Sequence, residues 1–123
     1  METPRGPEQH ERLEQLEQLE RLEQAVERAA GRLRRLPESA LRRGAAAEGR
    51  ALAAELARRG QRLEGRPGRL PELPDAGIFA VGDQLAVTGH DLVEAVRALG
   101  PGEAAAEEIR QALDLLRGAP GRR

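Results

Sequence analysis

Residues 19–36 read LERLEQAVERAAGRLRRL, and their apolar side chains return every three or four positions. Residues at this spacing share one face of an α-helix. The stripe contains Leu19, Leu22, Val26, Ala29, Leu33 and Leu36. A lone helix cannot bury such a stripe, so the pattern predicts a helix over residues 8–36 that packs against other helices.

A triplet repeat, LEQLEQLERLEQ, occupies residues 13–24 and overlaps the start of this stripe. A step of three residues drifts around a helix, so Leu13 and Leu16 leave the face that Leu22 joins. We interpret the repeat as a solvated helical extension. The alternative is an oligomerising coiled coil, for which the stripe is short.

The rest of the chain also has helical periodicity. Pro37 ends the first helix, and a second helix is predicted over residues 38–64, with Ser39 as its N-terminal cap. The cluster Gly44–Gly49 marks either a turn or a close helix crossing. Residues 65–74, GRPGRLPELP, form a predicted linker because Pro and Gly are dense there.

Residues 75–99 allow two interpretations. The apolar residues from Ile78 to Leu99 form one helical stripe, and Asp75 would then cap a single helix. Alternatively, IFAVGDQLAV could form a hairpin that turns at Gly82 and Asp83, followed by a helix capped by Thr88. We favour the single helix, because an isolated hairpin of this size is marginally stable.

A short last helix is predicted over residues 103–117, before Gly118 and Pro120. The expected fold is therefore all-α: an antiparallel bundle of about four helices with a long, partly coiled-coil-like first helix. Residues 1–7 are expected to be disordered, residues 8–117 to form one domain, and residues 118–123 to be frayed.

Composition excludes several kinds of chemistry. The 123 residues include no Cys, Lys, Tyr or Trp and one Phe, so thiolate, Schiff-base and P-loop chemistry are absent. An aromatic-lined pocket for a small-molecule substrate is not expected, nor is a cofactor. The chain contains no run of 18 apolar residues, so membrane insertion is not expected. The N-terminus has no secretory pattern, which predicts a cytoplasmic protein and leaves signal-independent export open.

The sequence contains one candidate pair of metal ligands. His90 and Glu94 lie four residues apart and could face the same ion on a helix. Two ligands are too few for a zinc site, so we interpret them as solvated surface residues. The amino-acid composition and this lack of a complete ligand set predict a protein that is not an enzyme.

Charge is segregated although the net charge is only −1. The acidic segments 8–27 and 70–117 flank the basic segment 28–69, which predicts ion pairs between helices. Alternatively, the arginines could bind nucleic acid or another polyanion with a regulatory role. The candidate contacts are Arg34, Arg35, Arg42, Arg43, Arg58, Arg59 and Arg62.

The leading functional hypothesis is a small interaction protein that self-associates or binds another helical protein. Alanine-rich faces bury little apolar area, so we expect the monomer to need a partner. The predicted interaction seam comprises Leu19, Leu22, Val26, Leu33, Leu36, Leu41, Leu52, Leu56, Leu85, Leu92, Val96 and Leu99.

A further hypothesis comes from residues 33–63, around PESALRRGAAAEGRALAAEL. This pattern resembles actinobacterial helical-hairpin proteins of the Trp-x-Gly type, which include type VII secretion substrates. The resemblance implies a helical hairpin that turns at Arg42, Arg43 and Gly44, and it implies secretion as a second alternative function. Arg42 stands where the family has Trp, and the chain has no Tyr for the family's secretion signal.

Overall fold

The structure, a computed structural model, describes residues 6–66 and 73–121. Four helices form the bundle: α1 (Pro7–Arg35), α2 (Ala46–Leu63), α3 (Val81–Leu99) and α4 (Glu103–Arg117). Short helical segments, Glu38–Ala40, Leu41–Ala45 and Ile78–Ala80, precede α2 and α3. The described ranges contain no strand, which confirms the all-α prediction.

Helix α3 lies between α1 and α2. It runs antiparallel to α1, because Gly82 faces Ala30 while the later Gly89 faces Val26. It runs parallel to α2, because Gly49 lies against Val81 and Gly60 against Leu92. The bundle therefore contains a parallel pair as well as antiparallel ones, which the simple antiparallel prediction omits.

The connection between α2 and α3 explains this parallel pair, because it returns the chain to the opposite end of the bundle. Residues 73–74 of this connection are hydrogen-bonded to side chains of both helices. The Arg50 guanidinium donates to the carbonyl oxygens of Leu73 at 2.7 Å and Pro74 at 3.3 Å. The Gln84 amide donates to the Pro74 carbonyl at 2.7 Å. Residues 67–72 of the predicted linker lie outside the described residues.

Interior glycines allow the helices to approach closely. A Cβ on Gly49 would lie 2.9 Å from Val81 Cγ2, and a Cβ on Gly82 would lie 2.9 Å from the Ala30 carbonyl oxygen. Gly44 instead has φ of 144° and turns the chain between α1 and α2. Both predicted roles of the Gly44–Gly49 cluster thus occur, at different residues.

The predicted caps at Ser39 and Asp75 are wrong. Ser39 lies within Glu38–Ala40, where no side chain caps the helix. Gly77, with φ of 87°, interrupts the helical path, so α3 begins at Val81 and not at Asp75. The hairpin alternative is also wrong, because Thr88 is buried within α3 and its hydroxyl donates to the Gln84 carbonyl at 3.1 Å.

The described residues near both ends of the chain differ from the predicted disorder of residues 1–7 and the predicted fraying of residues 118–123. Helix α1 begins at Pro7, and residues 7–14 are exposed on every side. Residues 118–121 form turns after α4, with Ala119 buried and Gly121 beside Arg32. This part of the tail therefore packs onto the end of α1, whereas we expected it to be frayed.

Candidate interaction surface

The predicted interaction seam lies mainly inside the bundle. Nine of its residues are buried in the core: Leu19, Leu22, Val26, Leu33, Leu41, Leu56, Leu85, Leu92 and Val96. Leu36 and Leu52 are half-buried, and Leu99 is 44% exposed. The helices cover one another's stripes, so this seam is not a surface that a partner could contact. A binding surface has to be formed by other residues.

Most of the predicted polyanion contacts are engaged within the chain. Arg34 pairs with Asp83, and Arg42 with Glu38. Arg58 and Arg59 both hydrogen-bond Glu55, and Arg59 and Arg62 both reach Glu108 of α4. Arg35 and Arg43 are exposed. The seven arginines are thus spread over several sites and do not form one basic face.

The ion pairs join acidic and basic helices, as the charge segregation predicts. Arg59 donates to Gln111 at 2.7 Å and, with Arg62, connects α2 to α4. The hydrogen bond from Arg58 lowers the pKa of the Glu55 carboxyl; burial opposes this shift, and Arg59 adds to it. This cluster of three arginines and two carboxylates stabilises the α2–α4 contact and pairs most of its charges within the chain.

We expect the Glu55 cluster to make stability depend on pH. A carboxyl with a lowered pKa stabilises the fold above its ordinary value of 4.5, and this contribution is lost as pH falls through the lowered value. In urea titrations, Glu55→Gln should cost up to about 1 kcal/mol at pH 7 and nothing at the acidic end. A constant difference between the two proteins across this range would contradict the assignment.

The His90 and Glu94 pair does not form a metal site. His90 Nε2 lies 2.5 Å from Glu27 Oε1 on α1, whereas Glu94 pairs with Arg97 on its own helix. Across the described ranges, no group of three His, Asp or Glu side chains could hold a metal ion. The pair instead belongs to the polar edge where α1 meets α3.

A basic groove lies between α1 and α4. Its lining includes Arg21, Arg28, Arg32 and Arg117, and the Arg117 guanidinium also pairs with Asp114 at 2.5 Å. Apolar atoms of Ala25, Leu113 and Leu116 complete the lining, and the groove has a volume of about 250 Å³. The exposed Arg21 and Arg28 beside this apolar surface fit a partner that presents carboxylates or phosphates next to an apolar side chain. We call this part of the surface the basic end.

A second groove of about 250 Å³ follows along the same helix pair, towards their N-termini. Three carboxylates, from Glu11, Glu14 and Glu103, surround it, and we call it the acidic end. Gln15 at its base is 9% exposed, and its Nε2 has no hydrogen-bond partner among the described residues. The two cavities share no lining residue but follow one another along the same helix pair, and we refer to them together as the α1/α4 groove, whose charge changes sign along its length.

The sequence contains part of the signal for the basic end. Arg21, Arg28 and Arg32 are separated by seven and four residues, which places them on one side of a helix. Arg21 lies within the acidic segment 8–27, so the net charges of the segments do not reveal this stripe of arginines. Arg117 joins it only through the packing of α4 against α1.

Comparison with family models, with curated proteins and with solved structures gives no match. The resemblance to Trp-x-Gly proteins therefore stays a prediction. Among the described residues, no helix has both the length and the apolar character needed to cross a membrane.

Proposed function

We propose that this chain is a small non-enzymatic interaction protein and that its binding surface is the α1/α4 groove. The observation that carries this proposal is the groove's division into an acidic and a basic end around a partly apolar floor. Charge complementarity of this kind gives a protein interface its register and its specificity. The partner would be another copy of the chain or a helical protein with a matching charge pattern.

Burial supports placing the surface here. Most residues of the apolar stripes are already buried in the bundle, whereas residues 7–14 of α1 are exposed around the whole helix. Helix termini without neighbours tend to fray, because helical stability in proteins comes mainly from packing. A partner in the groove would contact this extension and supply the missing neighbours.

Site-specific photo-crosslinking tests the proposal. Arg110 is exposed and lies on the same side of α4 as Ala106 and Leu113, which line the two ends. We expect a photo-reactive amino acid at position 110 to form covalent adducts with a protein in the producing cells. The same group at Asp91, exposed on α3, is the matched control.

The expected adducts should disappear in the variant Arg21→Glu/Arg28→Glu, which reverses the charge of the basic end. Adducts of equal yield at positions 110 and 91, or none at 110, would contradict the proposed surface. The unfolded fraction of each variant is checked by circular dichroism, so that loss of adducts is not confused with loss of fold.

The exposed Arg21 and Arg28 of the basic end also favour a second candidate function, the binding of nucleic acid or another polyanion. Affinity for duplex DNA would then fall steeply with salt, because arginines that neutralise phosphates release counterions. A titration at low salt decides this candidate: absence of binding, or binding that Arg21→Glu/Arg28→Glu leaves unchanged, removes it.

A further inference from the structure

We propose that the occupant of the α1/α4 groove is a second copy of this chain, in an antiparallel pair related by two-fold symmetry. This inference rests on the proposed function and names the partner. In a two-fold interface both copies use the same surface, so that surface must be complementary to itself. The α1/α4 groove has this property, because one surface carries both charges at separate ends.

The positions on α1 set the register. The acidic end uses Glu11 to Gln18, and the basic end uses Arg21 to Arg32. A two-fold axis between Gln18 and Arg21 reverses the second helix, so each acidic end lies over the other copy's basic end. Glu11 then faces the partner's Arg28, and Glu14 lies between the partner's Arg21 and the partner's Arg28.

The remaining lining suits close contact between helices. Ala25, Ala105 and Ala106 are small, and Leu113 is half-buried at the groove floor. Small side chains let helix backbones approach, while the charged rim fixes their direction. The exposed extension of residues 7–14 would lie along the second half of the partner's α1 and would gain neighbours that the monomer lacks.

Charge also favours a second copy over a partner of one sign. A uniformly acidic partner would match the four arginines but would be repelled by Glu11, Glu14 and Glu103. A uniformly basic partner would match the glutamates of the acidic end but would be repelled by the arginines of the basic end. The net charge of −1 means that two copies have almost no overall repulsion to overcome.

The experiment is a charge-swap test by sedimentation equilibrium at low salt. One variant reverses the acidic end, Glu11→Arg/Glu14→Arg, and the other reverses the basic end, Arg21→Glu/Arg28→Glu. Each variant alone places like charges opposite each other, so its dimer should be weaker than the wild-type dimer by about tenfold or more. Salt should also weaken the wild-type dimer.

The two variants mixed together should form a heterodimer. At the four swapped positions of α1, one variant then carries only arginine and the other only glutamate, so the contacts among these positions are complementary again. We expect the mixture to dimerise at least as tightly as the wild type. Rescue by mixing excludes misfolding as the reason for weak self-association, since a misfolded chain would not be restored by a second misfolded chain.

The control variant Arg43→Glu/Arg66→Glu changes the net charge by as much as the basic-end variant, at exposed positions outside the α1/α4 groove and outside the 7–14 extension. It should dimerise like the wild type. A wild-type protein that stays monomeric at all concentrations in low salt would overturn the inference, as would failure of the two variants to pair.

The outcomes separate this inference from the proposed function. A monomeric wild type whose position 110 still crosslinks to a different protein refutes the second copy and leaves the groove as the binding surface. A monomeric wild type with no crosslinks at that position refutes both. A dimer that only the control variant disrupts would place the interface elsewhere on the molecule and also refutes the inference.

Discussion

Replacement of Gly89 with alanine is expected to destabilise the fold by about 2 to 3 kcal/mol, because overpacking at a tight helix crossing outweighs the gain in helix propensity. The added Cβ would lie 2.7 Å from Val26 Cγ2 and closer still to Cγ1. Val26 is β-branched and held in one rotamer within α1, so it cannot turn aside. The helices α1 and α3 would have to move apart.

Urea unfolding followed by circular dichroism measures this loss. Gly31→Ala is the matched control, because a Cβ there would meet only the flexible end of Arg35. It should stabilise α1 by about 0.5 to 1 kcal/mol. The double variant Val26→Ala/Gly89→Ala should lose less than the sum of its single changes, since the smaller residue 26 makes room. Strictly additive losses would show that the two residues do not meet.

The second large effect concerns the heptad stripe of α1. Leu22→Ala should reduce the free energy of unfolding by about 2 to 5 kcal/mol, the usual cost of a cavity at a fully buried leucine. Leu22 is 1% exposed in the described bundle. In a fold whose total stability is of the order of 5 to 15 kcal/mol, this change would unfold a substantial fraction of the protein.

Leu16→Ala tests the same repeat at an exposed position, since Leu16 is 52% exposed. It should change stability by less than about 0.5 kcal/mol. Both measurements are repeated over a hundredfold range of protein concentration. If the loss in Leu22→Ala vanished at high concentration, Leu22 would lie in an interface between copies, and its assignment to the monomer core would be wrong.

The periodicity of apolar residues predicts the helices well, because a stripe every three or four residues has no other efficient way to be buried. Residues 103–117 coincide with α4, and α1 is displaced by one residue at each end. Periodicity does not show what covers each stripe. The small area that alanine-rich faces bury predicts an external partner for the stripe from Leu19 to Leu36, but the structure covers most of this stripe within the chain.

Close approach of the helices explains why the chain covers its own apolar stripes without an external partner. Gly49, Gly82 and Gly89 remove the Cβ atoms that would hold the helices apart, so Ala30 and Ala53 become fully buried. Sequence propensity counts such glycines only as a cost to the helix. Their benefit depends on which residue faces them across the crossing, and only the packed structure gives that pairing.

The α1/α4 groove was not predicted, for a related reason. Its basic end combines Arg21, Arg28 and Arg32 with Arg117, which is distant in sequence. Its acidic end combines Glu11 and Glu14 with Glu103 from the start of α4. The residues of each end are not contiguous in the sequence, so the net charges of sequence segments do not reveal either end of the groove.

The central position of α3 has a consequence for synthesis of the protein. While the ribosome still holds the second half of the chain, α1 and α2 have emerged without α3, so the surface of α2 around Gly49 lacks Val81, its later neighbour. At about 5 to 20 residues per second, this interval lasts seconds. The nascent chain therefore passes through a stage at which a chaperone that recognises apolar helices would find a temporary binding site.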